Sequence, residues 1–257
     1  MDTAKHGPIP NSESATPKTK AAAESRGRTG LVVLPAARIT RVLLGVTALF
    51  VLVHVGAHFS AERWNTTVTR VLVIEFDLSS EENIPTFFST ALLLSAALLL
   101  AAASRVNEEA SFTIHWRLLS LIFLGLSLDE SAGIHEYLNV PFRDALGATG
   151  PLYYTWVVPG AVLTAAFSVC YLRFLWHLPT RTKGIVILSG VLYVGGAIGV
   201  EMVGAQYYYS YGGKDFAYHL LTAVEESLEM TGVIALMYGG MDYIQGTEKG
   251  LEVSFKG

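Results

Sequence analysis

Six long apolar runs dominate this sequence, and they constrain its fold more than any other feature. Each run is long enough to cross the hydrocarbon core of a bilayer, roughly 30 Å, as an α-helix. A helix satisfies its own backbone hydrogen bonds in lipid, and the alternating segments of a membrane barrel are absent from the sequence. We therefore expect an all-α, polytopic membrane protein with six transmembrane helices. The helices are predicted over residues 42–59, 84–105, 113–136, 151–178, 184–208 and 216–244.

Composition and charge exclude several classes of protein. Hydrophobic residues make up 51% of the chain and charged residues 16%, whereas an ordinary soluble domain carries about 25% charged residues. The formal net charge of -4 leaves no basic surface for nucleic acid. The single cysteine, Cys170, excludes a disulfide framework and a thiolate metal cluster. Membrane lipid is the expected environment.

Three parts are expected along the chain. Residues 1–34 are predicted as a disordered cytosolic tail, because residues 1–30 are mainly polar or small and have almost no large apolar side chains. Residues 35–246 form the transmembrane domain, and residues 247–257 form a short cytosolic tail. Within the domain, the first loop carries the apolar residues Val71–Ile74 and Phe76 between charges. It is predicted either as a short helix lying in the membrane interface or as a loop with an apolar anchor.

The positions of lysine and arginine predict the orientation of the chain. These residues are concentrated before the first run, around the second and fourth loops and after the last run. Since basic residues favour the cytosolic side, both termini are predicted to be cytosolic. We expect an integral protein of the cell (inner or plasma) membrane.

The informative residues are ionisable groups at positions that should be apolar. An ionised side chain at bilayer depth costs roughly 3 kcal/mol, and no lysine or arginine is expected at this depth to compensate. Protons, bound cations or water must therefore neutralise the groups, which indicates a pocket opening toward the outer side. These residues are Asp129, Glu130, His135, Glu136, Glu201, His219, Glu225, Glu226 and Glu229.

Helical spacing divides these groups into candidate roles. Residues seven apart return to nearly the same face of a helix, as Asp129 and Glu136 do, and as His219 and Glu226 do. Carboxylate and imidazole groups from several helices suit a divalent ion such as Zn, Fe or Mn. The predicted metal ligands are Asp129, His135, Glu136, His219 and Glu226. The predicted catalytic carboxylates are Glu201 and Glu229.

His54 and His58 form an i, i+4 pair near the outer end of the first run. The pair could overhang the same pocket and bind a metal or haem. Interfacial histidines reach this spacing by chance as well, so both interpretations stay open.

Three functions fit the pattern. The first is a metal-dependent membrane enzyme acting on a lipid or other apolar substrate, with a carboxylate as general base. The second is a proton- or cation-coupled transporter or channel, in which the carboxylates titrate or coordinate ions in transit. The third is a scaffold or assembly subunit, in which the polar groups serve only helix association.

Overall fold

The protein is helical throughout most of the chain that its computed structural model describes, namely residues 29–31, 35–64, 66–107, 109–247 and 252–254. A 3₁₀ turn spans Gly150–Leu152, and a π-helical segment, Gly195–Val200, joins the helix that ends at Val194 to the helix that begins at Glu201. The α-helices are α1 (Ala36–Ala61), α2 (Thr67–Phe76), α3 (Ile84–Val106), α4 (Ala110–Ala132), α5 (Ile134–Leu146), α6 (Val157–His177), α7 (Thr180–Val194), α8 (Glu201–Tyr211) and α9 (Phe216–Gly246).

Among the described residues, five helical stretches are long and apolar enough to cross a membrane. They are Ala36–Ala61, Ile84–Val106, Ser111–Ala132, Val157–His177 and Thr180–Tyr211. The last of these runs through α7, the π-helical segment and α8. The sixth predicted run corresponds to α9, which has 31 residues but carries three glutamates in its middle. Because α9 packs against α1, α3, α7 and the π-helical segment, protein surrounds much of its surface.

The third predicted span is wrong at its C-terminal end. Helix α4 ends at Ala132, and Gly133 has a left-handed backbone conformation with a φ of 57°. Glycine adopts this conformation without steric cost and commonly terminates helices. The turn starts a separate helix, α5, so His135 and Glu136 do not continue the spanning helix.

The first loop contains a helix rather than an irregular anchor. Helix α2 is held at its start by Thr66, whose hydroxyl accepts a hydrogen bond from the Thr69 backbone N–H. Its residues Val68, Val71 and Ile74 are exposed. The helix ends at Phe76. Asp77 begins the short connection that leads to α3.

Two short strands lie outside this helical unit. Thr29–Leu31 and Glu252–Ser254 pair antiparallel, with Gly30 opposite Val253. The predicted disordered tail falls mainly on residues 1–28 and 32–34, which lie outside the described residues, so that prediction stays untested. The same holds for much of the predicted tail over residues 247–257.

Helices α7 and α9 approach each other closely through glycine. A Cβ atom on Gly232 of α9 would lie 2.7 Å from the Tyr193 backbone nitrogen and 3.0 Å from the Ser189 carbonyl oxygen. The Ser189 hydroxyl donates a 2.7 Å hydrogen bond to the Gly232 carbonyl, which fixes this contact. Small residues at such contacts are a general means of helix association in membranes.

We predict that Gly232→Ala destabilises the protein, because the backbone of α7 cannot move aside without losing its packing. Overpacking of this kind costs about 1–3 kcal/mol. The matched control is Gly190→Ala on the exposed side of α7, where an added Cβ meets nothing within 4 Å. Thermal unfolding in detergent should show a lower Tm for Gly232→Ala and an equal or higher Tm for Gly190→Ala. Equal effects would contradict the close-contact interpretation.

A candidate metal centre beside a glutamate cavity

Three histidines and one aspartate converge at one end of the helical unit. His54 and His58 lie near the end of α1, Asp77 follows α2, and His219 lies in the first turn of α9. One potential ligand atom from each residue lies within 4.8 Å of the others. We call this group the His–Asp cluster.

His54 connects the parts of the His–Asp cluster. Its side chain is fully buried. The Leu78 backbone N–H donates a 3.0 Å hydrogen bond to Nδ1, so this nitrogen is unprotonated. The proton must then reside on Nε2, which donates a 3.0 Å hydrogen bond to the His219 carbonyl. With both nitrogens engaged, His54 positions the loop and α9 rather than offering a free ligand atom.

His58 and His219 have the opposite character. His58 Nε2 and His219 Nδ1 are buried and make no hydrogen bond of good geometry, although Asp77 Oδ1 lies within ion-pair distance of each. Burying a polar atom without a partner costs about 1–3 kcal/mol, so each such atom calls for an explanation. The two rings stack with their centroids 3.5 Å apart and an angle of 22° between their planes.

The spacing of the atoms around Asp77 fits a metal ion. Asp77 Oδ1 lies 3.4 Å from His58 Nε2 and 3.8 Å from His219 Nδ1. Metal–ligand bonds of about 2.0–2.1 Å in a tetrahedral site place neighbouring ligand atoms about 3.3 Å apart. Each of the three side chains retains about a tenth of its surface exposed. The group therefore provides two nitrogens and one oxygen with an accessible side.

Asp77 is held in its ionised form. Burial by itself raises the pKa of its carboxyl, but the neighbouring His58 imidazole and Ser79 outweigh burial and hold this pKa well below its usual range. The Ser79 backbone N–H and hydroxyl donate hydrogen bonds of 2.9 and 2.8 Å to Asp77 Oδ1. A carboxylate in this state is ready to bind a cation.

Helix capping places His219 in the cluster. The Asp215 carboxylate accepts a 3.0 Å hydrogen bond from the Tyr218 backbone N–H and so starts α9. The Tyr207 hydroxyl donates a 2.8 Å hydrogen bond to the same carboxylate and ties it to α8. His219 lies one turn further, facing α1.

A cavity of about 390 Å³ lies next to the His–Asp cluster. Its wall includes Leu78 and Tyr218, the neighbours in sequence of Asp77 and His219. It is rich in carboxylates, and we call it the glutamate cavity. The charged and histidine residues that line it are Glu81, Glu130, His135, Glu136, Arg143, Glu201, Lys214, Glu225 and Glu226.

The two predicted catalytic glutamates differ in position. Glu201 lines the glutamate cavity and accepts a 2.9 Å hydrogen bond from Trp156 Nε1. Glu225 of α9 lines the same cavity. Glu229 packs against the π-helical segment, where a Cβ on Gly196 would lie 2.9 Å from its Cγ.

The predicted metal ligands fall into different groups. His219 belongs to the His–Asp cluster and Glu226 lines the cavity, whereas Glu136 and His135 lie near Glu81 in a second group of potential ligand atoms. Asp129 pairs with His135, its Oδ2 lying 3.0 Å from His135 Nδ1. The ligand set predicted from the sequence is therefore divided, and its metal binding stays a prediction.

The surroundings of His135 and Glu81 raise the pKa of both side chains. Burial lowers the pKa of His135, but the hydrogen bond and charge of Asp129 outweigh burial and raise it above its ordinary value. Burial and the negative charge of Glu136 raise the pKa of Glu81. His135 and Glu81 therefore keep their protons to a higher pH than isolated side chains would.

Asp77 is the cluster residue that the sequence analysis missed. It lies in a loop, outside every apolar run, and no spacing links it to histidines 19 or more positions away. The local sequence Asp77-Leu-Ser-Ser is typical of a turn in which the carboxylate accepts backbone hydrogen bonds. The i, i+4 histidine pair and His219 were the signals in the sequence that pointed to this part of the molecule.

Comparison with known families identifies a family but no function. The family described as "Domain of unknown function (DUF8692)" matches residues 41–241. The chain belongs to this family, and the match includes all four residues of the His–Asp cluster. No curated protein and no solved structure matches the chain.

We predict that His54→Ala destabilises the protein more than His58→Ala does. Removing His54 leaves the Leu78 N–H without its partner, at about 1–3 kcal/mol, and removes the additional hydrogen bond that the His219 carbonyl accepts from His54 Nε2. His58 makes no hydrogen bond through its buried Nε2, so its loss removes mainly ring packing. Thermal unfolding of both variants after chelator treatment measures the difference. A His58→Ala variant that is the less stable of the two would refute the positioning role of His54.

Proposed function

We propose that this member of the DUF8692 family is a metal-dependent membrane enzyme acting on a lipid or other apolar substrate. His58, Asp77 and His219 would hold one divalent ion, such as Zn, Fe or Mn. The observation that carries the proposal is the pair of buried, unpartnered imidazole nitrogens facing an ionised carboxylate. His54 would support the ligands from behind, as groups around metal ligands commonly do.

Two histidines and one carboxylate leave coordination positions free for water or substrate. This ligand set occurs in zinc hydrolases and in non-haem iron enzymes. The ion would polarise a bound water or a substrate oxygen. The glutamate cavity would take the polar end of the substrate, and Glu201 would serve as general base. Glu201 suits that role better than Glu229, because it lines the cavity and Glu229 packs against Gly196.

The membrane arrangement belongs to the proposal as well. We propose that α9 is the sixth span and that both termini are cytosolic in the cell membrane. In support, seven of the eleven lysines and arginines among the described residues lie toward the ends of the helices away from the His–Asp cluster, which favours that side as cytosolic. These residues are Arg38, Arg41, Arg105, Arg117, Arg173, Arg181 and Lys183.

One observation favours proton- or cation-coupled transport as a second candidate. The spanning stretch Thr180–Tyr211 is interrupted by the π-helical segment, and Glu201 follows it directly. Interrupted helices with carboxylates at the break are typical of transporter binding sites. In this function, Glu201 and Glu225, which line the same cavity, would share a proton and exchange it during transport.

We expect the purified protein to contain a stoichiometric divalent metal ion. After removal by a chelator, reloading with Zn, Fe or Mn in turn identifies the ion by its retention through gel filtration. Asp77→Asn, His58→Ala and His219→Ala should each lose the ion, because each removes one ligand.

Two controls separate this site from others. His177→Ala, which removes an exposed histidine paired with Glu109, should retain the ion. Asp129→Asn and Glu226→Gln should also retain it if the His–Asp cluster is the site. Loss of the ion from these two variants and retention in Asp77→Asn would instead support the ligand set predicted from the sequence.

Transport predicts a different result. Protein reconstituted into vesicles should then move protons or cations down an imposed gradient, and Glu201→Gln should abolish the flux by removing the shared proton. The conservative control is Glu62→Gln, a change in an exposed residue beyond the end of α1. Flux that is absent in wild-type protein containing bound metal would exclude this candidate.

A further inference from the structure

Helix α5 differs from every spanning helix in length and in the distribution of its side chains. Its 13 residues extend about 20 Å, which is too short to cross a hydrocarbon core of roughly 30 Å. None of its residues is buried. It follows directly on α4, an apolar spanning helix, after the turn at Gly133.

One face of α5 is apolar and faces away from the protein. Ile134, Tyr137, Leu138, Pro141 and Ala145 share this face at 100° per residue. All five residues are exposed, with Tyr137 77% exposed. Since α4 ends within or at the edge of the lipid, an apolar surface that continues from it meets the same medium.

The opposite face of α5 is polar and forms part of the cavity wall. It carries His135, Glu136, Asn139 and Arg143, all of which line the glutamate cavity. Asn139 accepts hydrogen bonds from the Thr155 hydroxyl at 2.7 Å and from the Trp156 backbone N–H at 3.2 Å.

Arg143 secures the far end of the same face. Its Nε donates a 2.9 Å hydrogen bond to the Tyr153 carbonyl, and its guanidinium lies 3.8 Å from the centre of the Tyr153 ring. These contacts fix the rotation of α5 about its axis, with the polar face toward the cavity and the apolar face outward.

Pro141 supports the same placement. A proline inside a helix removes the hydrogen bond to the carbonyl four residues earlier, here that of Tyr137. In the hydrocarbon core such a carbonyl would have no partner. At the membrane–water interface it can bind water or a lipid headgroup.

We propose that α5 lies in the membrane–water interface and separates the lipid from the glutamate cavity, so that an amphiphile enters the cavity sideways from the adjacent leaflet. Amphipathic helices of this kind bury their apolar face about 5–10 Å into the boundary between headgroups and acyl chains. The amphiphile's polar end would pass under α5 to the polar face, while its chain stays in lipid. This names the route and class of substrate for the metal enzyme proposed above and rests on that function.

Spin labels on single cysteines test the placement in vesicles of phosphatidylcholine and phosphatidylglycerol. The background is Cys170→Ser, because Cys170 is exposed and would react. Ala145→Cys and Val140→Cys are a matched pair on α5, both at exposed positions but about 140° apart around the helix. The Ala145→Cys label should be accessible to oxygen and shielded from a water-soluble nickel complex, and the Val140→Cys label should show the reverse.

Two outcomes would overturn the placement. Equal access of the nickel complex to both labels would mean that α5 lies in water. An Ala145→Cys label shielded from both reagents, with dipolar broadening between labels, would mean that a second copy of the chain covers this face.

A fluorophore on Glu136→Cys tests the route itself, because Glu136 lines the cavity from α5. A phosphatidylcholine carrying a nitroxide quencher on its headgroup should quench this fluorophore if lipid headgroups reach the cavity. Quenching by aqueous iodide without quenching by the lipid would overturn sideways access. The metal content of each variant is measured in parallel, so a failed metal site and a failed lipid route give separate results.

Discussion

The candidate centre depends on a single buried imidazole that joins three parts of the chain. His54 belongs to α1, accepts a hydrogen bond from the loop at Leu78 and donates one to the backbone of His219 on α9. These two hydrogen bonds add to the packing of α1 against α2 and α9 and hold the backbone beside Asp77 and at His219 close to α1. A buried imidazole needs a hydrogen-bond partner for each ring nitrogen. The two partners of His54 lie at His219 and next to Asp77, so this need helps to position both residues. His54 itself offers no free ligand atom, but it helps to position the residues that do.

The position of α9 explains how a membrane protein tolerates so many acids in one helix. Glu225, Glu226 and Glu229 would be costly facing lipid, but α9 packs against three other helices and borders the glutamate cavity. The neighbouring Glu201 accepts a hydrogen bond from Trp156 Nε1 in the same cavity. The apolar surface facing outward is supplied mainly by the surrounding helices.

Sequence periodicity predicted the helical membrane class because length and hydropathy directly reflect the bilayer. It also singled out His219, Glu201 and Glu226, since charges in apolar runs are conspicuous. Asp77 was not predicted because acidic residues are common in loops. Its role becomes visible only in the fold, which brings His58 and His219 next to it from distant positions in the sequence. The assignment of His135 and Glu136 to a span failed for a local reason. Gly133 was compatible with a continuing helix, and only its backbone conformation shows that α4 ends there.

The π-helical segment has a consequence for the surface that the Thr180–Tyr211 stretch presents to lipid. On an unbroken α-helix, Val191 and Val203 would point about 120° apart, yet both are well exposed, at 65% and 54%. The wider i→i+5 turn takes up this difference in helical phase. The two halves can therefore keep one continuous apolar stripe while Glu201 turns inward. A helical wheel drawn through the whole stretch would assign the residues of one half to the wrong face. The lipid-facing positions should therefore be worked out separately for the parts before and after Gly195–Val200.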